Sequence, residues 1–299
     1  MLYQRGGCDG RALGLGQVRF GNDLERYARL IDGAAAHLAA LPGDAVLGVA
    51  PHSLRAVSPE GLAFAASLRR DAPIHIHIAE QAAEVEELIA HTGARPVEWL
   101  LAHAAVDGRW CPIHCTQMAA AETTALARTG AVAGLCPVTE ANLGDGIFDG
   151  VHWALAGGRF GVGTDSNVQI TLTGELRLYE YSQRLRDKGR AMLATETQST
   201  GRMLWQGAAQ GGAQAAGRAA GAIAPGLWAD LVALDHGALA LEGRQGDELL
   251  DAAIFAAGEG LVTDLWAAGR HIVTGGRHIA RDTIAARYRA VMADLRGRL

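Results

Sequence analysis

Along residues 22–218, short apolar runs alternate with amphipathic segments, a pattern that predicts repeated βα units. Residues 46–50, 74–78, 111–114, 132–136 and 160–163 read as buried strands. Helices are expected at 22–41, 59–70, 81–91, 96–102, 119–129, 151–156, 175–187 and 200–216. They rest on apolar spacings such as Leu24, Tyr27, Leu30 and Ile31, or Val85, Leu88 and Ile89. Strands alternating with helices at this spacing build a parallel sheet. The fold class that fits is α/β, a TIM-type (β/α) barrel. A closed barrel has eight strands and at least ~200 residues. With five candidate strands, the barrel is expected to be incomplete on its N-terminal side.

The texture changes after residue 218. Residues 261–267 and 271–274 read as two strands joined through Ala268, Gly269 and Arg270, a hairpin signal. Three units follow: a barrel portion at 1–218, a small flanking β module at 219–280 and a C-terminal helix at 281–299.

Composition narrows the classes of function. Nearly half the chain is apolar, yet no run approaches the ~18 uninterrupted apolar residues of a membrane helix. The opening residues have no apolar core of a secretory signal. The formal charge is −5 with no basic block, which argues against a nucleic-acid partner. The four cysteines, Cys8, Cys111, Cys115 and Cys136, form no CxxC and read as reduced thiols, so a cytoplasmic location is expected.

The chemistry gathers at strand ends. Residues at the C-terminal ends of parallel barrel strands converge on one mouth. His77 and Glu80 close the 74–78 run, His114 closes 111–114, and Asp165 follows 160–163. Two imidazoles and two carboxylates together suit metal-assisted hydrolysis. Each residue also has a plainer reading. His75 and His77 share a strand face and form a chelating pair, but His75, deeper in the strand, also fits a hydrogen-bonded core histidine. A lone strand-end histidine such as His114 is more often structural; in this company it is a polarising acid or donor. Asp165 is either a metal ligand and proton acceptor or a helix N-cap. Arg55 offers a planar fork for a carboxylate, or is a solvated loop arginine. The polar stretch 140–146 reads as a loop at the same mouth, with no chemistry assigned.

Taken in order, His77-x-x-Glu80, His114 and Gly163-Thr-Asp-Ser-Asn167 resemble the amidohydrolase superfamily. The segments Gly226-Leu-Trp-Ala-Asp-Leu-Val-Ala-Leu-Asp235 and Leu265-Trp-Ala-Ala-Gly-Arg-His-Ile-Val-Thr-Gly275 resemble the β-sandwich that flanks its barrels. Four further motifs resemble the branch that deiminates N-formimidoyl-L-glutamate in histidine degradation. They are Pro51-His-Ser-Leu-Arg-Ala-Val57, His75-Ile-His-Ile-Ala-Glu-Gln81, Gly134-Leu-Cys-Pro-Val-Thr-Glu-Ala-Asn-Leu-Gly-Asp-Gly-Ile-Phe148 and Gln183-Arg-Leu-Arg-Asp187.

The resemblance implies a zinc (Zn2+) hydrolase acting on a C–N bond of a small anionic substrate, with N-formyl-L-glutamate and ammonia as products. It implies His77 and Asp165 as metal ligands, with Asp165 also the general base. Glu80 would shuttle protons to the leaving nitrogen, His114 would polarise the attacked centre, and His52 and Arg55 would hold the carboxylates. The superfamily's first-strand His-x-His has no counterpart here, which implies a chain lacking the N-terminal part and a weakly held zinc. Two other readings stay open: a deaminase of nucleobase-like substrates, and an inactive scaffold. Exposed strand edges of an incomplete barrel favour self-association, for which a homodimer is the form expected.

Overall fold

A computed structural model describes residues 1–258 and 260–298. Two residues within predicted elements, Glu259 in the β module and Leu299 in the terminal helix, lie outside the described residues.

The main body begins with helix α1 (Leu24–Leu38), where the Asp23 side chain accepts from Arg26 N–H and Tyr27 and Ile31 turn inward. Helix α2 (Pro59–Leu68) is capped by Ser58 and opened by Pro59. Then follow β1 (Ile74–Ile78), α3 (Ala82–Thr92), α4 (Pro96–His103), β2 (Trp110–His114), α5 (Ala120–Ala127) and β3 (Val132–Leu135). The series continues with α6 (Pro137–Leu143), α7 (Gly150–Leu155), β4 (Arg159–Val162), α8 (Leu172–Asp187) and α9 (Thr200–Ala215). The four strands form one parallel sheet in the order β1-β2-β3-β4. Ile74, Ile76 and Ile78 of β1 and every residue of β3 are buried. This is the burial expected of a parallel sheet covered by helices.

The predicted strand at 46–50 is not a regular strand. It is an extended segment held to β1 by single parallel bridges, Val49 to Ile74 and Ser53 to His77. Pro51 supplies no donor to a ladder, which limits its pairing. On its other side runs the N-terminal segment, bridged in parallel from Leu2 to Pro51, with Leu2 N–H donating to Ala50 O at 2.8 Å. The sheet thus has four strands and two bridged staves, and no pairing between its two outer members closes it among the described residues.

Helix α9 lies against β4 through glycines. A Cβ on Gly211 would sit 1.9 Å from Phe160 O, whereas one on Gly212 would meet nothing within 4 Å. The carbonyl of Ala215 at the end of α9 bonds His75 Nε2 at 2.8 Å.

Beyond α9, β5 (Leu231–Leu234), β6 (Val262–Ala267), β7 (Arg270–Thr274) and β8 (Arg277–His278) form an antiparallel sheet in that order. Helix α10 (Gly246–Phe255) interrupts it, and α11 (Arg281–Arg296) ends it. The expected sandwich appears as this single sheet, in which none of the strand residues is buried. The segment is also less purely β than its sequence suggested. Helix α10 docks on the main body, with Arg177 donating to Ile254 O at 2.7 Å and Gly201 N–H to Asp251 at 2.6 Å. Asp44 clamps the sheet from the other side, held by Arg270 at 2.8 Å and by Arg218 at 2.9 Å; Arg218 also holds Asp230 at 2.9 Å.

Candidate active site

The C-terminal ends of the strands bring the predicted residues together. The rings of His52, His77 and His114 run in series, with centroids 4.8 Å apart between the first pair and 5.6 Å between the second. Glu80 Oε1 lies 3.6 Å from His114 Nε2. Asp165, exposed at the end of β4, is close enough for its charge to act on His77, Glu80 and His114. Arg55 lies near this row. Its charge acts on His52, His77 and Glu84, and its Nε is buried with no hydrogen bond among the described residues. His75 faces away to the α9 terminus and does not join the group.

The backbone at these strand ends is unusual. Ala79, His114, Cys115, Asp165 and Asn167 all have positive φ, between 43° and 70°. Non-glycine residues rarely adopt this region, and such outliers gather where surrounding structure fixes a side chain for a purpose. Here the turn out of each strand is braced by polar bonds. Thr116 Oγ1 donates to Glu80 O at 2.5 Å, and Gln117 N–H to Ala79 O at 2.8 Å.

Environment sets the protonation states. Burial, with the charges of His77 and Arg55, pushes His52 down to about 3, so its ring is neutral near pH 7. Burial also lowers His77. For Glu80 burial works the other way and raises the carboxyl above its ordinary value. Burial opposes a charged His114. The hydrogen bond to Glu140 and the charges of Glu80, Glu140 and Asp165 outweigh it, and the net shift is upward. A protonatable acid and a histidine of raised basicity thus face each other, a pairing typical of sites that move protons.

Sequence reasoning missed three supports. Glu140 was placed in a polar loop, but it lies in α6 and is buried, with Oε1 3.2 Å from His114 Nδ1. Pro137 at the first helical turn and Gly144 in the left-handed C-cap position were the available signals for that helix. Glu84 is buried and accepts from Glu80 N–H at 2.8 Å. Tyr3 packs edge-on against His52 at 4.4 Å.

Two places at the strand ends gather metal-ligating side chains. His77 Nδ1 bonds the His52 carbonyl at 2.9 Å, which leaves Nε2 as the free nitrogen of a ring kept neutral by burial. That is the arrangement of a metal-ligating histidine with its outer nitrogen fixed. With Asp165 it fits one side of a zinc site, two ligands where catalytic zinc takes three. His114, Cys136 and Glu140 also offer ligand atoms within 4.8 Å of one another, all buried. However, Glu140 Oε1 already accepts from Cys136 N–H at 2.8 Å and pairs with His114, and burial drives the Cys136 thiol far up. This trio is a closed hydrogen-bonded cluster and a poorer metal site than the mouth.

A parallel sheet of βα units with histidines and carboxylates gathered at its strand ends is the architecture of α/β proteins that carry their functional groups at the C-terminal ends of the strands. Residues 18–272 match the Amidohydrolase family, and the chain belongs to it. It is 44% identical over 297 residues to the formimidoylglutamate deiminase of Pseudomonas aeruginosa, covering 99% of this chain and 65% of that one. The crystal structure of an amidohydrolase from Brucella melitensis superposes with a TM-score of 0.94 at 50% identity, covering 98% of this chain and 65% of that one. The zinc-bound crystal structure of an adenosine deaminase from Xanthomonas campestris is similar at a TM-score of 0.73 and 28% identity, over 84% of this chain and 57% of that one. The chain therefore spans about 65% of the length of the first two relatives. Among the described residues, no helix is long and apolar enough to cross a membrane.

Proposed function

We propose that this chain carries part of a hydrolytic site for N-formimidoyl-L-glutamate. Water exchanges the C=N bond for C=O, giving N-formyl-L-glutamate and ammonia. The observation that carries this reading is the meeting of His77, Glu80 and His114 at one mouth, with the guanidinium of Arg55 beside them. The 44% identity to a formimidoylglutamate deiminase over nearly the whole chain supports the substrate.

In the balance of atoms, the water oxygen adds to the formimidoyl carbon and both water protons end on the departing nitrogen. Asp165 takes the first proton from the water. Glu80, kept protonatable by burial, gives a proton to the imino nitrogen, and a general acid of this kind contributes ~10²–10⁴-fold. His114 Nε2 accepts a hydrogen bond from the attacking water and orients its oxygen toward the formimidoyl carbon. Arg55 pairs with one substrate carboxylate, and the neutral ring of His52 meets the other. Zinc held by His77 and Asp165 would supply acidity to the attacking water, bringing its pKa toward ~7.

The test is ammonia release by the zinc-loaded chain from N-formimidoyl-L-glutamate and from adenosine, with zinc per chain measured alongside. Turnover of the first and not the second is expected. Ammonia from adenosine alone, or from neither substrate while zinc is held, would overturn the reading.

A further inference from the structure

Three strand-end turns reach the mouth, and α6 with its flanks touches all of them. Glu140 meets His114 at the end of β2. Thr139 Oγ1 lies 3.1 Å from Thr164 O and 2.9 Å from Ser166 Oγ, the residues on either side of Asp165. Asp145, whose N–H is bonded to Glu140 O at 2.9 Å, accepts from Gln81 next to Glu80 at 3.1 Å, and its carbonyl accepts from Gln117. Thr139, Glu140 and Asp145 are all buried.

We propose that Glu140 is a positioning residue that fixes His114 in one tautomer, with hydrogen on Nδ1 and a free lone pair on Nε2 facing the mouth. The argument is geometric. Glu140 Oε1 accepts Cys136 N–H at 2.8 Å, which marks it as the acceptor oxygen. A nitrogen 3.2 Å from an acceptor must bring the hydrogen itself, so His114 Nδ1 is protonated. In a neutral ring Nε2 is then the acceptor, 3.6 Å from Glu80 Oε1. The left-handed backbone of His114, at φ 70°, aims the ring between the two carboxylates. A carboxylate behind an imidazole selects tautomer and orientation in the same way in hydrolytic triads, where its replacement by the amide leaves geometry intact but presents the wrong tautomer. Glu140 does not touch the reacting atoms; it acts through His114.

The deciding measurement is long-range proton–nitrogen NMR on the 299-residue chain labelled with [15N]histidine, at a pH where His114 is neutral. The His114 signal is assigned by its loss in His114→Gln. The expected spectrum shows Nδ1 protonated and Nε2 bare. The opposite tautomer in the wild-type protein overturns the proposal with no variant needed. In Glu140→Leu no acceptor faces Nδ1, so the preference for Nδ1–H should be lost, while a cooperative melt and otherwise unchanged histidine signals show that the fold is kept. A preference that survives the substitution also overturns it. The catalytic consequence rests on the hydrolytic reading above. Glu140→Leu should lower kcat for N-formimidoyl-L-glutamate by at least ~10²-fold with KM within about twofold. An unchanged kcat in an active enzyme overturns the positioning role. Absence of activity in wild type counts against the substrate alone, because the tautomer is read independently.

Discussion

Helix α9 and strand β4 touch through backbone, and the contact gives two neighbouring residues opposite responses to one substitution. In Gly211→Ala the new Cβ would lie 1.9 Å from Phe160 O and 2.6 Å from Phe160 C. Real Cβ contacts essentially never fall under 3.0 Å, so α9 and β4 must separate by at least 1.1 Å, the difference between 3.0 and 1.9. Neither partner is a side chain that can turn away. Overpacking of this kind costs about 1–3 kcal/mol, and a backbone clash belongs at the upper end. Alanine recovers roughly 1 kcal/mol of helix propensity over glycine. The net loss is about 2 kcal/mol, which lowers the melting temperature by roughly 4–8 °C at ~2–4 °C per kcal/mol. Gly212→Ala meets nothing within 4 Å and keeps only the propensity gain, so it should melt up to about 2–4 °C above wild type. Thermal melts followed by circular dichroism at one scan rate provide the comparison. If Gly211→Ala melts at or above Gly212→Ala, the close approach of helix and strand is not what makes this position glycine.

Three other outcomes follow from charges. Asp44 is held well below the ordinary carboxylate range by hydrogen bonds from Arg270 and then Arg218, so its contribution is full above its unfolded pKa and is lost as pH falls through the folded one. Wild type should therefore lose melting temperature more steeply than Asp44→Asn on acidification below pH ~4; parallel curves would show that the clamp is not coupled to stability. Glu175 behaves in the opposite sense. Burial, which leaves Oε1 without a partner among the described residues, raises it from 4.5 to about 7, so its ionisation destabilises the fold as pH rises from 4.5 through 7. Glu175→Gln should flatten that part of the stability–pH curve, and an unchanged slope by urea denaturation would contradict the assignment. Arg55→Ala in an active form should raise KM at least ~10-fold with kcat nearly kept, as loss of a uniform binding contact requires; a collapse of kcat at constant KM would move Arg55 into the chemistry.

How much was legible depended on what kind of signal carried it. Strand β3 is buried at every position, β1 buries its three isoleucines, and β2 and β4 carry short buried apolar stretches, which hydrophobicity alone finds. The residues at their ends follow from barrel geometry, which is why His77, Glu80, His114 and Asp165 were named together. Leu2 was invisible because a stave made by one bridge leaves no periodicity. Residues 46–50 have the apolarity of a strand but pair only at isolated points. Glu140 was hidden differently: a charged residue in a polar, glycine-containing stretch looks solvated, and only tertiary structure shows it buried against a histidine 26 positions away. Helix α10 carries polar residues that bond to the main body, Asp247 with Arg202 and Asp251 with Gly201, and its amphipathic signal is short.

The mouth is built from two parts of unequal stiffness. His77 and His114 stand on β1 and β2, which share a five-pair register, whereas His52 lies within, and Arg55 just beyond, a stave fastened by single bridges. Backbone amides of the outer staves should exchange with solvent sooner than those of the inner strands, since fewer shared bonds must open. Under the proposed function, the side that recognises the carboxylates can breathe while the side that moves protons stays fixed. Fit to the ligand's tail and alignment of its reacting carbon then become separable properties, adjustable by substitution in different stretches of chain.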